Sequence, residues 1–417
     1  MTLAIYIHWP FCISKCPYCD FNSHVGDTTD QEIWRQAYRR ELEHYADLLR
    51  ARRVTSIFFG GGTPSLMEAR TVESVLQDIA RLSVVDPDAE ITLEANPSSA
   101  EADKFADFRK AGVNRLSLGV QALNDAALRF LGRAHNADEA RRAIALAAKH
   151  FPRFSFDLIY ARQEQTPVEW RQELREALAL AGGHLSLYQL TIEPHTGFHT
   201  RMRRGETLTA QDNCAADMYE ATQEMMDEAG MPAYEISNHA RKGHESRHNL
   251  TYWHYEDYIG IGPGAHGRIG IQKQKEISPL PPQGGEGWVR GDFGSKNPPL
   301  PLTPRGGRGA LRRALENHRA PDIWLRQVEE RGHGLKTDET LTAETAMREA
   351  LMMGLRLSAG IDLEIWREKF NAPLSRFLAK EKMARLKREG LIVEDEKNLR
   401  ASPAGRQRLD AVLAYLV

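Results

Sequence analysis

YIHWPFCISKCPYCDFNSH, Tyr6 to His24, places three of the chain's four cysteines within eight residues, directly behind an apolar run. Cys12, Cys16 and Cys19 have the spacing C-x3-C-x2-C, and Pro10 and Pro17 keep the stretch from becoming a regular strand or helix. The run before it, Leu3 to Trp9, reads as a strand, so the thiols stand on a loop at that strand's end. Thiols so closely spaced in a reducing compartment point to a metal or redox site rather than a disulfide framework. Two metal readings follow. A Cys3His zinc site completed by His8 or His24 would be closed by four protein ligands. An iron–sulfur cluster on three thiolates would leave one iron open to bind a ligand, and the soft donors together with a spacing unusual for zinc favour it. Cys214, alone in AQDNCAADMYE, is expected to be a small buried apolar residue.

Outward from that loop the first half of the chain alternates between strand and helix patterns. Strand-like runs recur at Leu3–Trp9, Ser56–Gly60, Glu90–Asn96, Arg115–Gln121, Phe154–Tyr160 and His184–Leu190. Helical stretches separate them, the first beginning at a predicted Asp30 N-cap. Such alternation predicts a parallel α/β sheet with right-handed crossovers, either doubly wound or a partial barrel. In such folds chemistry collects at the carboxyl ends of the strands. The unusual residues fall there: the cysteine loop, GGGTPS after the second run, Glu94, Gln121, Asp157, and Tyr188 with Gln189.

Bulk composition agrees with an enzyme-sized cytosolic protein. The 417 residues, 41% hydrophobic, suffice for one large core and a smaller domain, and a net charge of −2 gives no general attraction to nucleic acid or anionic membranes. No apolar run approaches the roughly 20 residues of a membrane span, and MTLAIYIHWP lacks the features of a signal peptide. A cytoplasmic location is expected.

CISKCPYC, with YIHWPFC, GGGTPS, TLEANP, RLSLGVQ and FDLIY in order, resembles the radical S-adenosylmethionine superfamily. The likeness is to its branch of oxygen-independent coproporphyrinogen III oxidases and haem chaperones, from Tyr6 to about Gly267 and again from His318 onward. It implies a partial (β/α)6 barrel over 1–267 with a [4Fe–4S] cluster on Cys12, Cys16 and Cys19. It also implies S-adenosylmethionine beside Tyr6, Tyr18, Gly61, Gly62, Thr63, Glu94, Gln121, Arg133 and Asp157, with His266 a weaker match. Each of these has an ordinary explanation too: a solvated strand end for Glu94, a surface charge for Arg133, a turn for the glycines. Two features separate the branches. The oxidases carry a further cysteine where this chain has Phe21, and RHNLTYW (Arg247–Trp253) matches the HNxxYW motif associated with haem in the chaperones. A haem site needs an imidazole and aromatic faces, which His248, Tyr252 and Trp253 supply. Taken alone, those three residues read more simply as core anchors and a loop histidine.

The resemblance therefore implies a carrier that delivers haem to haem-requiring apoproteins such as respiratory enzymes, with coproporphyrinogen III oxidation as the alternative. No nucleic-acid partner is expected; peripheral membrane contact and homodimerisation are left open. A Pro/Gly-rich insertion is predicted over 268–309, Ser278 to Gly309 holding seven prolines and eight glycines and expected to be mobile. The third region, 310–417, reads as amphipathic helices stopped by Gly332 and Gly360, then a winged-helix-like end with no clean basic stripe. One departure from the family stands at DLIYARQEQT, where Gln163 and Glu164 replace the usual Pro-Gly and put the turn shape in doubt.

Overall fold

Each of the six expected strands forms, and all run parallel. The computed structural model describes residues 1–26, 30–271 and 312–417. The strands are β1 (Thr2–Trp9), β2 (Arg53–Gly61), β3 (Val84–Ala95), β4 (Arg115–Gln121), β5 (Arg153–Tyr160) and β6 (His184–Gln189), paired in that order. The sheet continues on both sides, through β7 (Asn238–Ala240), β8 (Tyr258–Ile261), β9 (His266–Gly270), β10 (Arg312–Asn317) and β11 (Leu335–Thr340). Its order is β11-β10-β9-β8-β1-β2-β3-β4-β5-β6-β7.

Strict alternation along four consecutive strands gives the sheet two unlike faces. Thr92 and Glu94 of β3, Arg115, Ser117, Gly119 and Gln121 of β4, Ser155 and Asp157 of β5, and His184, Ser186 and Tyr188 of β6 face an internal cavity. The residues between them, Leu93, Leu116, Leu118, Phe156, Leu185 and Leu187, are buried in the main apolar core. Helices α1 (Gln31–His44), α2 (Ala69–Leu82), α3 (Ala137–His150), α4 (Pro167–Leu180) and α5 (Asp212–Glu228) cover that outer face. The predicted Asp30 cap is present, its Oδ1 accepting from the N–H of Glu32 at 2.9 Å. Tyr6 of β1, Phe58 of β2 and Tyr188 of β6 line one cavity, so the sheet curls into an open barrel with a polar lumen.

The expected boundary at 310 falls inside this sheet. β10, β11 and α7 (Pro321–Arg331) belong to the barrel, where Leu315, Trp324, Val328 and Leu335 join its core. Glu41 of α1, fully buried, fastens them. It accepts hydrogen bonds from the N–H groups of Gly262 at 2.7 Å and Gly334 at 2.8 Å, from Asn317 Nδ2 at 3.1 Å and from Trp324 Nε1 at 3.1 Å. A separate apolar core runs from Ala346 of α8 (Ala343–Gly354) to Leu416, around a three-stranded antiparallel sheet, and also takes in Tyr255. Gly332 ends α7 in the left-handed conformation, as expected. Gly360 does not stop α8, which ends at Gly354. It lies instead where a Cβ would be 2.2 Å from the Leu399 carbonyl oxygen. The predicted insertion over 268–309 lies largely outside the described residues. Cys214 is only half-buried, packed against the edge of the main core.

Candidate functional site

The cysteine loop is held from several sides at the carboxyl end of β1. A short parallel bridge pairs Phe11 with His24 and Cys12 with Val25, closing the base of the loop. Asn22 Nδ2 donates to the carbonyls of Pro263 and Arg319, each at 3.0 Å, and the Phe198 N–H donates to the Pro17 carbonyl at 2.7 Å. Gly132, at φ +67°, touches Pro17 so closely that a Cβ would be 2.6 Å from its Cδ. All three thiols are unpaired, half-buried, and line one cavity of about 590 Å³.

Inside that cavity the predicted residues converge. Thr63 Oγ1 donates to Cys12 Sγ at 3.4 Å and accepts from Asn96 Nδ2 at 3.1 Å. Arg133 Nη1 donates to Cys16 Sγ at 3.4 Å, while Nη2 donates to Asn96 Oδ1 at 2.5 Å and the Gly119 carbonyl at 2.7 Å. Burial raises the pKa of the Cys12 and Cys19 thiols. Gln121 ends its strand at φ +73°, a strained conformation for a residue with a side chain. Gly61 donates its N–H to Glu94 Oε2 at 3.2 Å. Burial first, and then the nearby Asp157 carboxylate, lift the Glu94 carboxyl to about 8. Burial also lifts Asp157, to about 6, against hydrogen bonding from Ser186 and attraction by Arg133.

Three expectations need adjustment. The glycines of GGGTP are demanded first by the neighbouring strand: a Cβ on Gly61 would be 2.8 Å from the Trp9 carbonyl oxygen, and one on Gly62 would be 2.6 Å from that of Phe11. Tyr6 and His266 do not line the cysteine chamber. They line a second chamber of about 570 Å³, further into the barrel, that shares Phe21, Gly61, Glu94, Ser117, Asp157 and Tyr188 with the first. The Cys3His zinc arrangement does not find its fourth ligand in either expected histidine. His8 is engaged at both nitrogens, by the Tyr6 hydroxyl at 3.1 Å and the Asn22 carbonyl at 2.9 Å, and His24 does not line the cysteine chamber.

The RHNLTYW segment forms α6 (Arg247–Trp253), which closes the opposite end of the barrel. Glu90, near the amino end of the regular part of β3, takes the Arg247 N–H at 2.8 Å and faces Arg115 and Arg153, each at 3.2 Å. His248 is buried and lines the second chamber, stacked on Phe58 at 4.9 Å between ring centres and on Tyr6 at 6.0 Å. Burial lowers its pKa to about 3, which keeps the imidazole neutral. Tyr252 lines the same chamber. Trp253 does not; its ring carries the Arg356 guanidinium at 5.0 Å. The turn beyond β5 keeps a glycine-like shape without glycine, since Glu164 adopts φ +59° and Ala161 φ +58°.

Comparison with known proteins gives the family and the fold. The radical SAM superfamily model matches residues 6–177 and the HemN C-terminal domain model residues 341–408. The chain is 36% identical over 418 residues to radical S-adenosyl methionine domain-containing protein 1, mitochondrial, of Bos taurus, covering 99% of this chain and 87% of that protein. It is 39% identical to the heme chaperone HemW of Escherichia coli, over 70% of this chain and 76% of that one. The chain belongs to the HemW family of radical SAM proteins. Among solved structures, the coproporphyrinogen III oxidase HemN of Escherichia coli shares the fold, with a TM-score of 0.75 at 21% identity over 99% of this chain and 89% of that one. A [4Fe–4S] cluster and S-adenosylmethionine go with the superfamily. No helix among the described residues is long and apolar enough to cross a membrane.

Four successive strands carry a signal that motif reading passed over. EITLEA, RLSLGVQ, RFSFDLI and HLSLYQ each alternate polar with apolar residues. A strand packed on both faces reads instead as a continuous apolar run. The alternation marks a hollow, polar interior and singles out Thr92, Arg115, Ser117, Ser155, His184 and Ser186 as its lining.

Proposed function

We propose that this HemW-family chain binds haem and delivers it to haem-requiring apoproteins, respiratory enzymes among them. It would hold a [4Fe–4S] cluster on Cys12, Cys16 and Cys19. The observation that carries the reading is the pairing of two ends of one barrel: unpaired thiols at one mouth, and a neutral histidine among aromatic rings at the other. Their donor chemistry fits both groups. Three thiols with neither His8 nor His24 available as a fourth ligand, and with His135 Nε2 already bonded to the Val120 carbonyl at 3.0 Å, suit a cluster with one open iron, and neutral imidazole suits haem iron. Bound there, the cluster would supply an iron site for the amino acid end of S-adenosylmethionine. The chain's own residues have simpler tasks. Thr63 and Arg133 orient Cys12 and Cys16, Glu94 and Asp157 offer carboxyl groups to the cofactor chamber, and Tyr18, Gly62 and Gln121 shape its wall. Tyr6 and His266 contribute from the inner chamber, and Tyr252 flanks His248 there. Trp253 serves as a packing anchor on Arg356.

Anaerobic reconstitution followed by haemin titration tests this reading. Wild type is expected to take up iron and labile sulfide and, separately, haemin. Cys16→Ala should lose the cluster and keep haemin binding; His248→Ala should lose haemin binding and keep the cluster. Turnover of coproporphyrinogen III by protein that takes up no haemin would overturn the proposal.

A further inference from the structure

Charge is sorted along the second chamber. Towards the cysteines stand the carboxyls of Glu94 and Asp157, which line both chambers. Two residues earlier on the same faces come Thr92 of β3 and Ser155 of β5, with Arg115 beside Thr92 in the sheet register and His184 at the start of β6. Arg115 is buried, and its Nη1 donates to Glu90 at 3.2 Å and to the His244 carbonyl at 3.1 Å. Arg153 meets the same Glu90 at 3.2 Å, so one carboxylate faces two guanidinium groups. Glu90 also accepts from the Arg247 N–H, which ties this end of the chamber to α6, the helix that carries His248.

Two buried polar atoms at this end are left open. Thr92 Oγ1 and His184 Nδ1 have no hydrogen-bond partner among the described residues. The tautomer of His184 follows from its other nitrogen. Tyr234 Oη lies 3.1 Å from His184 Nε2 and already accepts from Asn249 Nδ2 at 3.3 Å and from the Ser246 backbone. With both acceptor positions filled, the Tyr234 hydroxyl donates to Nε2. Burial, and then the Arg115 charge, keep the imidazole neutral, so its own proton sits on Nδ1. Asn249 belongs to α6, so the same hydrogen bonds hold His184 against that helix. Buried donors without acceptors are uncommon, and beside an unbalanced guanidinium they call for an anion. A trapped water, which would satisfy a donor without regard to charge, is the competing explanation.

We infer that Thr92, Arg115 and His184 form a carboxylate site, which takes a propionate arm of the tetrapyrrole. This deepens the haem-binding reading above and rests on it: His248 holds the metal, and these three residues hold the acid arm. Only hydrogen bonds and an ion pair form; no covalent bond changes. The site selects by charge, because an esterified arm offers Arg115 no negative oxygen. The Asp157 carboxylate disfavours an acid arm at the opposite end of the chamber.

The test titrates full-length protein with metal-free protoporphyrin IX and with its dimethyl ester, followed by fluorescence, and separately with haemin, followed by absorption. Wild type should bind the free acid ~10-fold or more tightly than the ester. Thr92→Val removes a hydroxyl that has no partner, so the melting temperature should hold while the acid binds several-fold more weakly and the ester as before. His184→Phe should show the same selective loss. His248→Ala, which loses haemin, should keep the preference for the acid. Equal wild-type affinity for acid and ester, or equal losses for both in the two chamber variants, would overturn the inference and leave haem ligation by His248 standing. Preference for the acid without haemin ligation would overturn the haem reading and keep the carboxylate site. Failure of wild type to bind either porphyrin or haemin would overturn both.

Discussion

Glu164 holds a left-handed conformation at φ +59° on the surface, where a glycine would rest without strain. A residue with a Cβ there costs about 1–2 kcal/mol, part of which the greater freedom of an unfolded glycine offsets. Glu164→Gly is therefore expected to stabilise the protein by about 0.5–1 kcal/mol, measured by urea unfolding. Glu94 behaves differently, because its strain is electrostatic. Its carboxyl, lifted to about 8 against an ordinary 4.5, keeps a proton that the unfolded chain has already lost. The stability this proton lends is complete below pH 4.5 and is lost as pH rises through 8. In ligand-free protein the urea midpoint should fall between those limits, with a slope of at most about 1.4 kcal/mol per pH unit, and Glu94→Gln should flatten it.

Among the elements, α1 and α6 show how a single buried carboxylate can fix a helix. Glu41 is surrounded by donors alone, so Glu41→Leu strands the N–H groups of Gly262, Gly334 and Trp324. A loss of about 3 kcal/mol or more is expected in chemical denaturation. Glu90 does the same for α6 while neutralising Arg115 and Arg153. Glu90→Ala should cost about 3–5 kcal/mol and disturb the haemin spectrum, since His248 rides on that helix. The six strands could be placed from the sequence because β-rich runs and strand-end motifs coincide. Glu41 and Glu90 could not be distinguished from surface charge, because the backbone N–H groups they accept from lie more than 150 residues away.

For the whole molecule, two apolar cores meet across a seam that carries both apolar contacts, Tyr255 being buried in the second core, and polar ones. Arg406 reaches from the second to Ser358 and to the Glu235 carbonyl at 2.9 Å. Arg406→Ala should leave the barrel's melting transition in place and bring down that of the C-terminal unit by several degrees, seen calorimetrically. It should also speed amide exchange in α8. The cysteine loop, the strand-end residues and the existence of a second domain were readable in the chain, since each rests on local spacing. The place where that domain begins was not. β10 and β11 follow a long Pro/Gly-rich stretch, yet pair back onto the first sheet through contacts that composition does not encode. Nor could the sequence tell that Trp253 stays out of the chamber that His248 lines while Met353, about a hundred residues later, lines it.

The shared wall of the two chambers has a thermodynamic consequence. Glu94 and Asp157 face both, so an occupant that changes the charge of either carboxyl on one side alters the field met by an occupant on the other. Two molecules bound there cannot be energetically independent. Whatever factor the first imposes on the second's affinity, the second must return.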